Sequence, residues 1–451
     1  MARGPAAAGR ERGRDRRPAC EPGRAARARA GPANVKLPRR ALVLGLARSG
    51  QAAALALARR SVPTVAVDGA DVLDTGRLVE AGVEVHLGTE DDRLLEGVDL
   101  LVKSPGVPGE SPLPSAARAR GIPIWSEIEL GFRLVHNPFI GVTGTNGKTT
   151  TSELLGAVFR AAKRPVSVAG NVGRPVTALD GAIDDDTWIV CELSSFQLED
   201  VHRFRPRIGV LLNLEPDHLD RHGTFDAYRA AKLRLFENQT EADVAVVPRG
   251  FGATPGGARR VEFDASDELP AEPLIPGAHN RENAAAATAA ARAAGIDDDA
   301  IAEALRTFRG VEHRLELIAE IDGVRFVNDS KATNTTAARH GIEAYAGQSL
   351  RLILGGSLKG ESFEELAESL PSSVRSIDLI GEATEQLAAA LGRAGRLYRR
   401  SGDLATAVGA AAGEAEPGDV VLLSPACASY DQFRDYEQRG ETFRRLVGDL
   451  W

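Results

Sequence analysis

A three-domain α/β architecture, with a parallel sheet inside each domain, is predicted by three features of this sequence. Its 451 residues fit two to four domains at the usual size of about 150 residues each. Short apolar runs rich in Val, Ile and Leu recur along the chain and alternate with helical periodicity, the pattern of buried parallel strands joined by crossover helices. These runs end repeatedly in polar clusters, which puts ligand-facing side chains at the carboxyl edges of the sheets. The expected plan is a Rossmann-like N-terminal domain over 37–130, a central parallel-sheet domain over 131–310 whose residues 131–137 serve as the link, and a C-terminal Rossmann-like α/β domain over 311–451.

Composition narrows the class. Hydrophobic content of 43% and charged content of 26% describe a globular protein. No apolar run approaches the roughly 20 residues of a membrane helix, so no membrane insertion is expected. Cys20, Cys191 and Cys427 are few and far apart, which fits a reducing compartment and no disulfide framework. The net charge of −8 carries no general nucleic-acid footprint. Residues 1–30 are the exception, with nine Arg against three acids. Residues 1–36 are read as a disordered basic tail, because they hold too little large apolar surface to fold alone and lack the apolar core of a signal peptide. Binding to nucleic acid or anionic lipid, a dispensable tail and a start codon placed too early remain open there.

In the first domain, Ala41–Leu46 reads as a strand, Ala47-Arg48-Ser49-Gly50 as a turn, and 51–60 as a helix. A second strand ends at Asp68, giving a Rossmann-like βαβ unit with an acid at its second strand end. Gly45 and Gly50 do not complete G-x-G-x-x-G, so a dinucleotide-dependent oxidoreductase is a weak alternative. Further strands at 83–87 and 98–102 lead into Lys103-Ser104-Pro105-Gly106.

The central domain opens on the strongest signal. Phe139, Ile140 and Val142 form a strand, then Thr143-Gly144-Thr145-Asn146-Gly147-Lys148-Thr149-Thr150 precedes a helix with Leu154, Leu155, Val158 and Phe159 on one face. Strand, Gly-rich turn, Lys-Thr and helix is the P-loop context, so this domain is of the P-loop ATPase type. Backbone N–H groups turn inward around phosphate oxygens, and the helix N-terminus adds partial positive charge. Lys148 can reach the β/γ phosphates and the Thr149 hydroxyl can ligate Mg²⁺. The full motif needs glycine at 142, where this chain has Val142.

Two more strand ends point the same way. Glu192 closes the run 187–192 and is a candidate Mg²⁺ ligand. The run 208–214 opens into Glu215-Pro216-Asp217-His218-Leu219-Asp220-Arg221-His222, whose two histidines and three acids suggest a metal or phosphate site. A helix over 225–236 carries Lys232, 250–275 reads as variable and partly β, and an Ala-rich helix covers 281–294. In the last third, strands end at Asn328–Asn334, at Gly355-Gly356-Ser357-Leu358-Lys359, at Gly381 and at Ser424–Ser429.

The chain holds seven lysines against 48 arginines. Against that bias, a retained lysine is a candidate for chemistry arginine cannot do: titrating, being carbamylated, or acting as a compact point charge. Lys148, Lys232, Lys331 and Lys359 all lie in the motifs above.

Taken together these segments resemble the Mur ligase family, most closely its D-glutamate-adding members. The resemblance rests on GVTGTNGKTT (141–150), GNVGRP (170–175), ELSSFQLE (192–199), DHLDRHG (217–223), YRAAKLR (228–234), HNRENAAAA (279–287), EHRLE (312–316), NDSKATN (328–334), LGGSLK (354–359) and LLSPACASYDQF (422–433). It implies a cytoplasmic, monomeric bacterial ligase of peptidoglycan precursor synthesis. The enzyme would phosphorylate the carboxylate of UDP-N-acetylmuramoyl-L-alanine with ATP, and D-glutamate would then attack the acyl phosphate.

The resemblance also implies site residues. ATP would be held by Thr143, Gly144, Thr145, Asn146, Gly147, Lys148, Thr149, Thr150 and Thr151, with Asn280 and Asn283 at adenine, Arg314 at the phosphates, Asp329 at the ribose and Lys331 beside the phosphates. Two Mg²⁺ ions would use Thr149 and Glu192, and His218 and a carbamylated Lys232. Lys148, Glu192, His218 and Lys232 form the implied catalytic set. Leu46, Ala47, Arg48, Asp68, Ser104, Gly106, Asn171 and Ser194 would cradle the UDP substrate. Thr333, Lys359, Ser429 and Tyr436 would hold D-glutamate, with Tyr436 where the family commonly has Phe. A folylpolyglutamate-type ligase, another Mur-type ligase and a non-catalytic nucleotide-binding protein are the alternatives.

Overall fold

The computed structural model describes residues 37–275, 277–358 and 362–450, with Met1 and Gly4. The expected tail and Lys359 thus lie outside the described residues, Met1 and Gly4 aside. Three sheets follow one another along the chain. The first comprises β1 (Ala41–Leu44), β2 (Thr64–Asp68), β3 (Glu84–Leu87), β4 (Leu100–Lys103) and β5 (Ile124–Ser126), all parallel in the order β3-β2-β1-β4-β5. The second comprises β6 (Phe139–Thr143), β7 (Val166–Gly170), β8 (Trp188–Glu192), β9 (Ile208–Leu211), β10 (Val244–Pro248) and β11 (Arg259–Phe263), all parallel in the order β11-β10-β9-β6-β8-β7. The third comprises β12 (Glu316–Ile321), β13 (Val324–Asn328), β14 (Leu350–Gly355), β15 (Val374–Ile380), β16 (Arg399–Gly402) and β17 (Val420–Leu423) in the order β12-β13-β17-β14-β15-β16. There β12 pairs antiparallel with β13, and the other neighbours are parallel.

The central strands are apolar at consecutive positions because helices cover both faces of each sheet. Leu42, Val43, Ile140, Val142, Val190, Val210, Leu352 and Leu422 are all fully buried. In the second sheet β6 lies between β8 and β9. Their carboxyl ends bring the Gly-rich loop, Glu192 and residues 212–218 to one edge, where ligands bind in open α/β sheets.

The helix Glu127–Leu134 lies between the first two domains, started by Ser126, whose hydroxyl accepts from the Glu129 N–H at 3.3 Å. Leu130 and Leu134 pack into the first domain while Ile128 packs into the second. Glu129 ties the junction further: its carboxylate, fully buried, accepts from the backbone N–H groups of His202, Arg203 and Phe204 at 2.9–3.0 Å. Lys103 pairs with Asp200 at 3.1 Å across the same boundary. Elsewhere the Ala-rich helix starts earlier than expected, at Ala278. The segment 250–275 contributes one edge strand, β11.

Glu127 sits beside this junction, and among the described residues no cation pairs with it. Its Oε1 accepts from the Thr177 N–H at 2.6 Å and hydroxyl at 2.7 Å, and its Oε2 has no hydrogen-bond partner. Burial pushes its carboxyl up to about 7, opposed only in part by the Thr177 bonds. A carboxyl raised on folding contributes stability that is complete below its unfolded pKa of about 4.3 and is lost as pH climbs through its folded value. Glu127→Gln keeps an acceptor for Thr177 and removes the charge. Its Tm should exceed the parent's by roughly 2–4 °C at about pH 8, with little difference near pH 5. Thermal melts at the two pH values check this, and an equal shift at both would contradict a buried titrating carboxyl.

Candidate active site

The Gly-rich loop is built from backbone outward. Gly147 takes φ +82° immediately before the helix Lys148–Ala161, a left-handed turn that glycine adopts without steric cost. A Cβ there would lie 2.1 Å from Asn283 Oδ1, so the structure brings Asn283 onto the loop. Asn280 is a neighbour, with Asn283 Nδ2 donating to its Oδ1 at 3.4 Å. Thr143 Oγ1 donates to the Leu193 carbonyl at 2.8 Å. Thr149, Thr150 and Thr151 are buried at the first turn of the helix. The Lys148 ammonium folds back to donate to the carbonyls of Gly144 at 2.9 Å and Thr145 at 2.8 Å.

Two residues hold this loop without having been predicted as site residues. Asn213 Oδ1 accepts from the Asn146 N–H at 2.8 Å, and its backbone carbonyl accepts from the Thr145 N–H at 3.1 Å. Tyr228 shares a 2.9 Å hydroxyl contact with Thr145 Oγ1, and its ring lies 4.7 Å from Lys232 Nζ. The available signals were an Asn just past an apolar run and a Tyr one helical turn before Lys232.

Glu192 is the electrostatic centre. It is buried, with Oε1 accepting from Asn171 Nδ2 at 2.9 Å and Oε2 without a hydrogen-bond partner. Three lysines feel its charge. Burial lowers the Lys148 pKa, opposed chiefly by Glu192. Burial also lowers that of Lys331 from the third domain, again opposed chiefly by Glu192. Lys232, 2% exposed, donates to the Gly144 carbonyl at 2.8 Å. Its pKa is pushed down to about 7 by burial and then by Lys148, with Asp217 and Glu192 opposing. Arg314 from the third domain is close enough to depress both Lys148 and Lys331. The second and third domains therefore face each other across one cation-lined cleft.

The polar cluster after β9 is dispersed rather than gathered. His218 is half-exposed beside Asp217 at 3.4 Å, while Glu215 reaches Asn146 Nδ2 at 3.3 Å. His222 turns to the Ser195 hydroxyl at 2.9 Å and to Glu199 at 3.4 Å, and stacks on Phe196. Among the described residues no three His, Cys, Asp or Glu side chains converge into a ready-made metal cage. The donors that fit a hard divalent cation are the unpartnered Glu192 oxygen and the neighbouring Thr149, a sparse set that suits an ion shared with phosphate oxygens.

In the third domain, Asp329 is buried at the end of β13. It accepts from the Ser424 hydroxyl at 2.7 Å and the Leu315 N–H at 3.3 Å, and burial raises its carboxyl to about 7. Lys331 lies over the Tyr436 ring at 5.8 Å. Ser429 is buried, and Thr333 follows Lys331 in a tight turn closed at 2.9 Å. Burial, and then Glu437, raise the Tyr436 hydroxyl well above its usual range. Four non-glycine residues in these motifs, His218, His313, Leu315 and Ala426, take φ between +46° and +61°. Strained backbone of this kind persists where surrounding structure enforces it, often at functional sites.

The first-domain residues assemble around the end of β1. The Leu46 N–H donates to Asp68 Oδ2 at 2.6 Å and the Ser104 hydroxyl donates to the Gly45 carbonyl at 2.7 Å. Arg48 reaches across to the Gly173 carbonyl at 2.7 Å, close to Asn171, and its charge opposes the rise of the Tyr436 hydroxyl. Ala47 precedes the helix Arg48–Arg59, and Gly106 lies in the turn after Ser104. Ser194 starts the short helix Ser195–Leu198 through a capping box with Gln197.

A three-domain chain with a P-loop, a buried strand-end carboxylate and a lysine-rich cleft defines a nucleotide-dependent enzyme of the α/β class. Three family models match it: a MurD-like N-terminal domain of Mur ligases over residues 39–126, the Mur ligase middle domain over 142–251, and the Mur ligase glutamate ligase domain over 313–427. A UDP-N-acetylmuramoylalanine--D-glutamate ligase of Acidobacterium capsulatum is 44% identical across 91% of this chain and 96% of its own length. One from Pelotomaculum thermopropionicum is 41% identical across 91% and 98%. The crystal structure of a UDP-N-acetylmuramate-alanine ligase from Thermotoga maritima shares the fold, with a TM-score of 0.55 at 18% identity over 92% of this chain and all of that one. The chain belongs to the Mur ligase family.

The Gly147–Asn283 contact is testable. Gly147→Ala should lower Tm, and its cost should shrink by about 1 kcal/mol or more in an Asn283→Ala background, because the clashing amide is gone. Chemical denaturation of the two single variants and the double variant measures the coupling; strict additivity would contradict the contact.

Proposed function

We propose that this chain joins D-glutamate to UDP-N-acetylmuramoyl-L-alanine using ATP, as a monomer in the bacterial cytoplasm, in peptidoglycan precursor synthesis. The observation that carries the reading is Glu192. A buried carboxylate with one free oxygen stands before Lys148 and Lys331, a field that suits bringing two anions together. The names of the curated relatives support the choice of substrates.

The acceptor carboxylate is a poor electrophile, so its oxygen first attacks the γ-phosphorus of ATP and ADP leaves. The D-glutamate amine then attacks the acyl-phosphate carbonyl, and the tetrahedral adduct expels inorganic phosphate and leaves an amide. The protein's work is alignment and charge neutralisation. Lys148 holds the loop-bound phosphates, and Lys331 and Arg314 approach from the third domain. Asn280 and Asn283 take the adenine and Asp329 the ribose. Leu46, Ala47, Arg48, Asp68, Ser104, Gly106, Asn171 and Ser194 cradle the UDP substrate, and Thr333, Lys359, Ser429 and Tyr436 hold D-glutamate.

Mg²⁺ would be held by Thr149 and Glu192, and a second ion by His218 and carbamylated Lys232; bound metal supplies charge neutralisation at the phosphates. The environment of Lys232 favours the modification. Its lowered pKa keeps a share of the amine neutral near pH 7, and only the neutral nitrogen can attack CO₂, releasing a proton and leaving a carbamate anion.

Phosphate release from ATP in the presence of UDP-N-acetylmuramoyl-L-alanine should require D-glutamate and fail with L-glutamate or L-alanine. Equal release with all three, or with none, would refute the assignment. Lys232→Ala should lose activity by about a hundredfold or more, with partial recovery in acetate. A carbamate resonance should appear with ¹³CO₂ in the parent protein only. Full activity in Lys232→Arg would exclude the modification.

A further inference from the structure

Arg439 is an arginine that the reaction as drawn does not use. It belongs to the helix Tyr436–Gly448 at the C-terminal end of the chain, and its side chain is among the largest that are wholly inaccessible to solvent. A guanidinium has five N–H donors in a fixed fork, and here all five are engaged. Nε donates to the Ser330 hydroxyl at 3.0 Å. Nη1 donates to the carbonyls of Gly355 at 3.4 Å and Ala428 at 3.1 Å. Nη2 donates to the carbonyls of Ser330 at 2.9 Å and Cys427 at 3.0 Å.

Every acceptor is neutral, and they come from three different loops. Ser330 lies after β13, Gly355 ends β14, and Cys427 and Ala428 lie after β17. These three strands are neighbours in the order β13-β17-β14, so the guanidinium sits under the carboxyl edge of the sheet centre. Lys331, Thr333 and Ser429 are each within three residues of an acceptor. Ser330 extends the tie, because its hydroxyl also donates to the Tyr436 carbonyl at 2.8 Å. The backbone has been fitted around this side chain: a Cβ on Gly356 would lie 2.1 Å from the Ala428 carbonyl and 2.9 Å from Arg439 Nη1. Burial pushes the guanidinium pKa down, but only to about 10, so the cation persists at neutral pH.

A buried cation held by four carbonyls and one hydroxyl does two things at once. It fixes the spacing of three loops, and it places a positive charge behind the surface they form, with Asp431 and Asp329 near enough to stabilise it. Lysine could do neither in the same way, having three donors on a flexible stem. We propose that Arg439 is the positioning residue of the amino-acid pocket, setting the mutual spacing of its three loops and lending it a buried positive charge suited to a dicarboxylate substrate. This rests on the ligase reading above.

The test compares Arg439→Lys and Arg439→Ala with the parent protein, after circular dichroism and thermal melts have established that each is folded. The parent is assayed first: absence of D-glutamate-dependent phosphate release there would overturn the ligase reading, not the role of Arg439. In the variants KM for D-glutamate should rise about tenfold or more, while KM for the UDP substrate stays within about twofold. Millimolar guanidinium should restore much of the D-glutamate KM in Arg439→Ala and none in Arg439→Lys. Without any substrate, amide exchange should accelerate together in 329–334, 355–358 and 426–430 and stay unchanged in the first domain. If Arg439→Ala does not fold, Arg439→Lys alone decides through the exchange pattern and the KM split. Folded variants with parental D-glutamate KM, with all three substrate KM values raised alike, or with exchange unchanged in those loops would overturn the proposal.

Discussion

The arrangement of this cleft depends on one constraint: ammonium groups taken out of water near a single buried carboxylate. Lys148, Lys232 and Lys331 each pay a desolvation penalty that shifts them toward the neutral amine. Glu192 is the one carboxylate that offsets the shift at all three, and it is the leading one for Lys148 and Lys331. A cluster of this kind is poorly balanced by itself and is completed by polyanions and their counter-cations. That imbalance is the physical form that readiness for a nucleotide and an acidic substrate takes here.

The rest of the fold serves to hold that cluster. The order β9-β6-β8 puts the Gly-rich loop between Glu192 and the Asn213–His218 segment, so the loop is braced from both sides. Lys331 and Arg314 come from another sheet, and their placement depends on how the third domain meets the second. The first domain is fastened separately, through Glu129, Lys103–Asp200 and the helix Glu127–Leu134. Arg48 crosses to the Gly173 carbonyl near Asn171, which donates to Glu192, so the first domain is tied to the Glu192 shell.

Much of this was legible in the sequence, for identifiable reasons. Consecutive apolar positions marked the buried parallel strands, and Gly147-Lys148-Thr149 after a strand marked the phosphate loop. The scarcity of lysine made Lys148, Lys232 and Lys331 stand out in an arginine-rich chain, and the structure draws all three toward Glu192. What escaped was decided by tertiary packing. No local pattern distinguishes Arg439, buried under three loops, from the other arginines of an amphipathic helix. The histidines and acids of 215–222 read as a metal or phosphate site because they are adjacent in sequence. The partner Asn146 draws Glu215 one way, while Ser195 and Glu199 draw His222 another. The edge strand β16 carries no apolar residue, and β12, though apolar at Leu317, Ile318, Ala319 and Ile321, has no fully buried position.

The central claim is that Glu192 sets the charge balance of the lysine cluster. With seven lysines in the chain, ¹³Cε-lysine labelling gives a spectrum in which each residue can be followed, and pH titration of metal-free protein with and without Glu192→Gln is the direct measurement. Loss of the carboxylate should lower the pKa of Lys148 and Lys331 most and that of Lys232 less. Unchanged titration of Lys148 and Lys331 in the folded variant would contradict the account.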